Sequence, residues 1–91
     1  MEKQLQRLIP LGSIVTLKGG SKKIMIIGRY QKAKDSQKDY DYAAVYYPEG
    51  MIDNQQFFLF QHQDIETIYF VGYQDLEEVD FLNKVANYLN K

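Results

Sequence analysis

The chain contains no cysteine, no tryptophan and a single histidine among its 91 residues. Thiolate nucleophiles, disulfides and histidine-rich metal sites are therefore excluded. Small secreted domains usually depend on disulfides, so their absence favours a reducing compartment, and we expect a cytoplasmic protein. No apolar run reaches the length of a signal peptide or of a membrane span, so we expect no membrane insertion.

Each half of the chain is short of one sign of charge. Residues 1–38 contain nine lysines and arginines but two acids, whereas residues 39–91 contain ten acids but two basic residues. Such asymmetry is typical of a basic binding face, or of two halves that attract each other across one fold. Attraction between the halves is the favoured explanation, and the basic face stays open as the alternative.

The length of the chain allows one hydrophobic core, so we expect a single domain over residues 1–91, with residues 1–8 as a flexible N-terminus. Short apolar runs between turn residues predict five strands within residues 12–71. Gly19-Gly20 predicts a hairpin between the first two strands, and Gly28 predicts a bulge or bend. The fold class is mainly β: a small, strongly bent five-stranded antiparallel sheet or an SH3-like barrel, with one C-terminal helix.

The C-terminal helix is predicted over residues 75–90. Asp75 is the expected N-cap, and Glu78 is placed to complete a capping box. Apolar residues recur at helical spacing, which predicts one stripe that packs against the sheet. The stripe consists of Leu76, Val79, Leu82, Val85, Ala86 and Leu89.

Patterns that carry catalysis or bind cofactors are weak. A Ser-His-Asp set can be written from His62, Asp64 and one of Ser13, Ser21 or Ser36, but no nucleophile elbow surrounds any of these serines. The acidic residues match no ion-binding loop, and the glycine pair lacks the context of a phosphate-binding loop. We therefore expect a protein that is not an enzyme and that uses no cofactor or metal.

Basic residues surround the predicted hairpin, and tyrosines follow nearby. Small barrels bind nucleic acids by combining a basic groove with rings on which bases stack. The pI of 5.7 and the acidic second half oppose this function, so nucleic-acid binding is the alternative hypothesis. The face that would bind nucleic acid consists of Lys18, Lys22, Lys23, Arg29 and Lys32.

Four of the eight tyrosines lie within residues 40–50, in a predicted strand that ends at a turn. Tyr46 and Tyr47 are neighbours, so they lie on opposite faces of a regular strand, and one of the two rings is expected outside the barrel or beneath the helix. Tyrosine is enriched where proteins bind each other. We therefore predict a partner-binding site at Tyr42, Tyr46, Tyr47 and Glu49.

Six stretches carry a family resemblance: residues 10–20, 22–29, 40–42, 47–50, 60–65 and 70–73. The most specific of them is Tyr47-Pro48-Glu49-Gly50. Together, over residues 8–80, they resemble a small family of Firmicutes proteins of unknown function. Members of that family are often encoded in type VII secretion loci, beside toxins with an LXG domain.

The resemblance implies a context for the protein and supplies no catalytic residues. A small protein encoded beside secreted toxins is expected to be a non-enzymatic protein-interaction module. It would serve as an adaptor, chaperone or targeting factor that binds the toxin or a secretion component. A role in immunity to the toxin is the weaker possibility.

Overall fold

The computed structural model describes residues 8–32, 38–52 and 57–89. The elements, in chain order, are β1 (Ile14–Leu17), β2 (Ile24–Lys32), β3 (Asp39–Tyr46), β4 (Phe58–Phe60), a 3₁₀ turn (His62–Asp64), β5 (Ile65–Phe70) and α1 (Leu76–Leu89). The predicted five strands and C-terminal helix are confirmed. The polar loop expected between the second and third strands falls largely on residues 33–37, which lie outside the described residues.

The five strands form one antiparallel sheet in the order β4-β3-β2-β1-β5. The sheet is not closed, because β4 and β5 are its two edges, so of the two predicted architectures the open, bent sheet is the one that forms. In a flat sheet these edges would lie roughly 19 Å apart. They are joined by residues 61–64 alone, and a 3₁₀ turn rises only about 2 Å per residue. The sheet must therefore curl strongly to bring its edges together.

Two glycine predictions explain how β1 and β2 are shaped. The strands that flank Gly19-Gly20 pair antiparallel, as predicted, and Gly19 has a φ of 83°, a backbone conformation that glycine adopts without strain. In β2, the register with β3 shifts between Ile26 and Gly28, which is the predicted irregularity. The shift lets the second half of β2 turn a new set of side chains toward the core.

The hydrophobic core lies on one face of the curled sheet. Residues that oppose each other in an antiparallel pair share a face. The pairs on this face include Val15 with Ile24, Ile26 with Ala44, and Tyr42 with Phe60. All of these side chains are buried. Alternate β-branched and aromatic residues of neighbouring strands thus form the core.

The N-terminal expectation needs a correction at its boundary. Leu8 was included in the flexible segment, but its side chain is buried in the core. Residues 1–7 lie outside the described residues. The next residue, Ile9, is held by its backbone N–H, which donates to the Tyr42 hydroxyl at 3.0 Å. The described part of the chain therefore begins by closing over the core.

The helix begins at the predicted cap but buries a different face from the predicted one. The Glu78 backbone N–H donates to Asp75 Oδ1 at 3.0 Å, which is the N-cap bond. The face turned inward is centred on Glu78, Leu82, Val85 and Ala86, whereas the predicted stripe members Leu76 and Val79 are exposed. The side chain of Leu89 lies outside the described set. Glu78 points inward because it pairs with Arg29, a contact that apolar spacing does not encode.

Candidate functional site

The predicted partner-binding residue Tyr42 lies at the centre of the core. Its side chain has no exposed surface, its ring packs 5.3 Å from that of Phe60, and its hydroxyl lies 2.7 Å from Nδ1 of His62. The hydroxyl also accepts the Ile9 N–H. This placement corrects the prediction for Tyr42, because a large ring on the inward face of a central strand is the natural filler of a small core.

Tyr46, Tyr47 and Glu49 do lie at the surface, at the end of β3 and in the turn that follows. Tyr46 and Tyr47 are each about two-fifths exposed, and the ring of Tyr46 packs 4.5 Å from that of Phe58. Glu49 forms an ion pair with Lys22, with Oε1 2.9 Å from Nζ. The hydrogen bond from Lys22 lowers the pKa of Glu49. These residues are accessible, and their role in binding stays a prediction.

Arg29 does not belong to a basic surface. Its side chain is only 5% exposed and forms a bidentate pair with the Glu78 carboxylate, with Nη2 2.8 Å from Oε1. Its guanidinium also lies 5.2 Å from the centre of the Phe81 ring and donates to the Ile9 carbonyl at 3.4 Å. A buried guanidinium requires a carboxylate partner. This requirement is the reason that α1 turns Glu78 toward the sheet.

The remaining residues of the predicted nucleic-acid face are exposed, but most of them are engaged by neighbours. Lys22 is paired with Glu49, and Lys32 lies 3.4 Å from Asp39. Lys23 lies 4.9 Å from the centre of the Tyr69 ring, and Lys18 is exposed. The structure therefore does not gather these cations into one free patch.

The ion pairs explain the asymmetric charge of the two halves. Each one given above joins a basic residue of residues 1–38 to an acid of residues 39–91: Lys22 to Glu49, Arg29 to Glu78, and Lys32 to Asp39. Attraction across the fold was the favoured reading of the charge pattern, and these contacts agree with it.

A second set of exposed apolar residues lies at the β5 edge of the sheet and on α1. We call it the β5–α1 surface. It consists of Ile68, Tyr69, Phe70, Val71, Tyr73, Leu76 and Val79, whose exposed fractions run from 45% to 81%. Ile68 and Phe70 lie on one face of β5 and Tyr69 on the other, because successive side chains of a strand alternate. Exposed apolar side chains grouped in this way on a small domain are typical of sites at which proteins bind each other.

A groove of about 500 Å³ opens at one end of this surface, and we call it the junction groove. It lies where the chain leaves β5 and enters α1. Its lining consists of Leu11, Arg29, Tyr73, Asp75, Glu77, Glu78 and Phe81. The groove thus combines exposed rings and an aliphatic side chain with carboxylates.

Gly72 positions one wall of the junction groove. A Cβ at this residue would lie 1.9 Å from the Leu11 carbonyl oxygen, so only glycine permits this approach of the two backbones. The Gly72 N–H donates to Ser13 Oγ at 2.9 Å, and that hydroxyl donates to the Pro10 carbonyl at 2.7 Å. This buried network fixes the chain before β1 against the chain that enters α1.

The charge of the junction groove is negative on balance. Arg29 and Glu78 neutralise each other. Asp75 Oδ1 accepts the Glu78 N–H as the helix cap, and Glu77 forms no ion pair with the part of the chain that the structure describes. The carboxylates of Asp75 and Glu77 therefore line a groove whose one cationic side chain, Arg29, is already paired with Glu78.

Sequence reasoning missed this region. The apolar residues of the last strand were assigned to the sheet, and Leu76 and Val79 were assigned to the packed stripe of the helix. One signal was present: residues 68–71 are apolar without interruption, whereas a half-covered edge strand needs apolar side chains on one face only. No sequence pattern predicts that Leu76 and Val79 are exposed, because the contact that turns Glu78 inward joins it to Arg29, which is distant in the chain.

Three of the residues considered for catalysis, His62, Ser13 and Asp64, have structural partners, whereas Ser21 is exposed. His62 Nδ1 contacts the Tyr42 hydroxyl, and the His62 backbone N–H donates to Asp41 Oδ2 at 2.8 Å. The Ser13 hydroxyl is buried in the network with Gly72, and Asp64 Oδ2 accepts the Gln61 N–H at 3.0 Å. Ser36 lies outside the described residues. Among those described, no cluster of three or more acidic or histidine side chains is arranged to hold a metal ion.

The fold and the surface define a class of protein: a small open β-sheet with a C-terminal helix and an accessible apolar edge. The chain belongs to the family described as Domain of unknown function (DUF4176), whose model matches residues 8–81. This match agrees with the coarser part of the resemblance, a family of unknown function. No curated protein and no solved structure matches the chain. In the stretches that the structure describes, no helix has the length and apolar character needed to span a bilayer.

Proposed function

We propose that this protein is a non-enzymatic protein-interaction module that binds its partner through the β5–α1 surface. The observation that carries the proposal is the exposure of Ile68, Tyr69 and Phe70 along one edge strand and of Val71 directly after it. An unpaired apolar edge is a liability unless a partner covers it, since such edges otherwise promote aggregation. A bound protein would remove this surface from water.

The family resemblance suggests which partner to test first. The resemblance implies that such proteins are often encoded beside secreted LXG toxins, so the partner we propose is such a toxin or a component of type VII secretion. The protein would act in the cytoplasm as an adaptor, chaperone or targeting factor. Its small size and single compact sheet suit a factor that covers an apolar segment of another chain.

The test is an affinity capture of the purified protein from its native host with the neighbouring toxin co-expressed. The double variant Phe70→Ser with Val71→Ser removes the apolar side chains from the proposed surface. Both residues are about half exposed, so we expect the variant to stay folded by circular dichroism. The expected result is that wild type retains the toxin or a secretion component and that the variant retains less than a tenth as much.

The control is Tyr46→Ser with Tyr47→Ser, which removes two partly exposed rings at the end of β3 and in the turn that follows. We expect this control to retain the partner. Loss of the partner in the control alone would move the binding site to the tyrosine turn. Recovery of neither toxin nor secretion component by wild type would contradict the proposal.

Nucleic-acid binding gains no specific support, because Arg29 is buried and Lys22 and Lys32 are paired with acids. Nucleic-acid binding is therefore an alternative outcome of the tests. A salt-dependent mobility shift of single-stranded DNA or RNA that disappears in Lys22→Glu with Lys23→Glu would show this function instead.

A further inference from the structure

We propose that the free edge of β5 accepts an extended, basic and apolar segment of the partner as an added strand, and that a lysine or arginine of this segment enters the junction groove. The inference rests on the proposed function and specifies how that surface would recognise its partner.

The edge of β5 is the better of the two edges for strand addition. β5 spans Ile65–Phe70 and pairs only with β1, so its outer backbone groups have no partner strand among the described residues. The other edge strand, β4, has three residues, Phe58–Phe60. A longer edge offers more backbone hydrogen bonds to an incoming strand, and alternate side chains of that strand reach the flanking surface.

The junction groove fits a cationic side chain on an aliphatic stem. Tyr73 is 81% exposed and Phe81 44%, so two ring faces or edges are available beside the groove. Cations bind favourably near such rings, and the long stems of lysine and arginine pack on apolar walls. Arg29 and Glu78 neutralise each other, so the net negative charge of the groove comes from Asp75 and Glu77.

The groove is placed where an added strand would deliver that side chain. Phe70 is the last residue of β5, and Tyr73 and Asp75 follow after the close contact of Gly72 with Leu11. Because Tyr73 and Asp75 follow β5 so closely in the chain, we place the end of the added strand beside the groove. The proposed recognition surface therefore joins the edge of β5 to the junction groove.

Charge favours a basic partner over a second copy of this chain. Glu66 on β5 and Asp80 on α1 are both exposed, and they add to the negative charge of Asp75 and Glu77. Two copies that joined their β5 edges would bring these acids together, and like charges in an interface oppose association. A basic segment gains from the same charges.

The first experiment titrates the ¹⁵N-labelled full chain with a synthetic peptide of alternating valine and lysine, about six to eight residues long, to match the length of a strand. The comparison peptide alternates valine and glutamate. We expect the lysine peptide to shift amide signals of β5 and of residues 73–77, with an affinity that falls as salt is added. Equal binding of the glutamate peptide, or shifts confined to residues 46–49, would overturn the proposal.

The second experiment tests backbone pairing itself. In an added strand, alternate N–H groups face the edge of the sheet. Methylating one alternating set of peptide amides removes the donors that face β5, whereas methylating the other set leaves them in place. We expect one series to lose binding at least tenfold and the other to keep it. Two series with equal affinities would exclude strand addition.

The third experiment tests the groove with Glu77→Gln, and Asp39→Asn serves as its control. Both changes remove one exposed carboxylate, but Asp39 lies on the β2–β3 hairpin, paired with Lys32. We expect Glu77→Gln to weaken binding of the lysine peptide about fivefold, and the control to leave it unchanged. Equal weakening by both would reduce the effect to overall charge and reject the groove.

These outcomes can be separated from failure of the proposed function. If the capture experiment finds a partner that depends on Phe70 and Val71, but neither methylated series differs, the interaction function stands and strand addition is wrong. If the capture experiment fails while the lysine peptide binds as expected, the surface recognises basic strands and the secretion partner is wrong.

Discussion

Tyr42 and Tyr30 lie in two regions of the same small core, and the two regions differ in how completely they are satisfied. The Tyr42 hydroxyl contacts both the Ile9 N–H and His62. The Tyr30 hydroxyl is buried where the β2 strand meets α1 and has no hydrogen-bond partner among the described residues. Tyr30 also has a φ of 59°, a left-handed conformation that is costly for a residue with a bulky side chain.

The buried hydroxyl inside the sheet, that of Tyr42, has hydrogen-bond partners. The buried hydroxyl at the junction with α1, that of Tyr30, has none among the described residues. Strained backbone and unpaired polar groups persist where surrounding structure holds them, and they concentrate at functional sites. The junction region also contains the Arg29–Glu78 pair, the exposed residues of α1 and the groove. The comparison therefore points to the junction, rather than the tyrosine strand, as the region shaped by something other than stability.

The largest effect is expected from breaking the ion pair that holds the junction. Glu78→Ala leaves the guanidinium of Arg29 buried without a carboxylate, and such a change costs about 3 kcal/mol or more of unfolding free energy. Urea denaturation measures the loss. The neighbouring exposed change Glu77→Ala is the control, and it should stay within about 0.5 kcal/mol of wild type.

A double variant sharpens the same prediction. Replacing both partners, as Arg29→Met with Glu78→Leu, removes the buried charges together, so stability should return to within about 1 kcal/mol of wild type. A double variant as unstable as Glu78→Ala would show that the pair does more than neutralise a buried charge.

The second effect tests the satisfied side of the comparison. Tyr42→Phe keeps the ring but leaves the Ile9 N–H and His62 Nδ1 without their shared partner, which should cost about 2 kcal/mol. Chemical denaturation at neutral pH measures the loss. A loss below about 0.5 kcal/mol would mean that water or a neighbour replaces the hydroxyl.

The pH dependence of stability follows from the same group. Burial raises the pKa of Tyr42 to about 12, above the ordinary value of about 10 for an unfolded chain. The folded state therefore keeps this proton where the unfolded state loses it. The contribution of Tyr42 is fully present below pH 10 and is lost as the pH rises toward 12. Tyr42→Phe should flatten the decline in stability over this interval.

The third effect tests the unsatisfied side. Tyr30→Phe removes a buried hydroxyl that has no partner in the described part of the chain, so stability should stay level or rise slightly. The packing of the ring against Phe81, with centroids 6.3 Å apart, is preserved. The same denaturation assay on Tyr30→Phe and Tyr42→Phe compares the contribution of each hydroxyl to the free energy of unfolding. A loss similar to that of Tyr42→Phe would erase the distinction between the two regions.

Much of the fold was predictable, because local chemistry acts within a few residues. The hairpin at Gly19-Gly20, the irregularity at Gly28 and the helix start at Asp75 each depend on backbone preferences of single residues, and each was predicted. The open sheet could not be chosen over a barrel from sequence, because closure depends on how the ends of the sheet meet.

The candidate site was less predictable, because it depends on contacts between distant residues. Glu78 was expected to cap its own helix, but Arg29, which lies 49 positions earlier in the chain, takes its carboxylate. With Glu78 turned toward Arg29, Leu76 and Val79 lie on the exposed part of the helix. Likewise, the adjacency of Tyr46 and Tyr47 predicts that not all tyrosines of this region point inward, but only the core packing shows that Tyr42 is the buried one.

The smallest effect tests whether an exposed ion pair resembles the buried one. The hydrogen bond from Lys22 lowers the pKa of Glu49. Its stabilising effect is therefore present above the ordinary pKa of a glutamate and is lost as the pH falls through the lowered value. Lys22→Gln should return the pKa of Glu49 toward its ordinary value, as followed by NMR of the carboxyl group.

The free energy of unfolding at neutral pH should change far less in Lys22→Gln than in Glu78→Ala, because water screens an exposed pair and does not screen a buried one. A Glu49 pKa that does not move in Lys22→Gln would assign the shift to its backbone contacts instead.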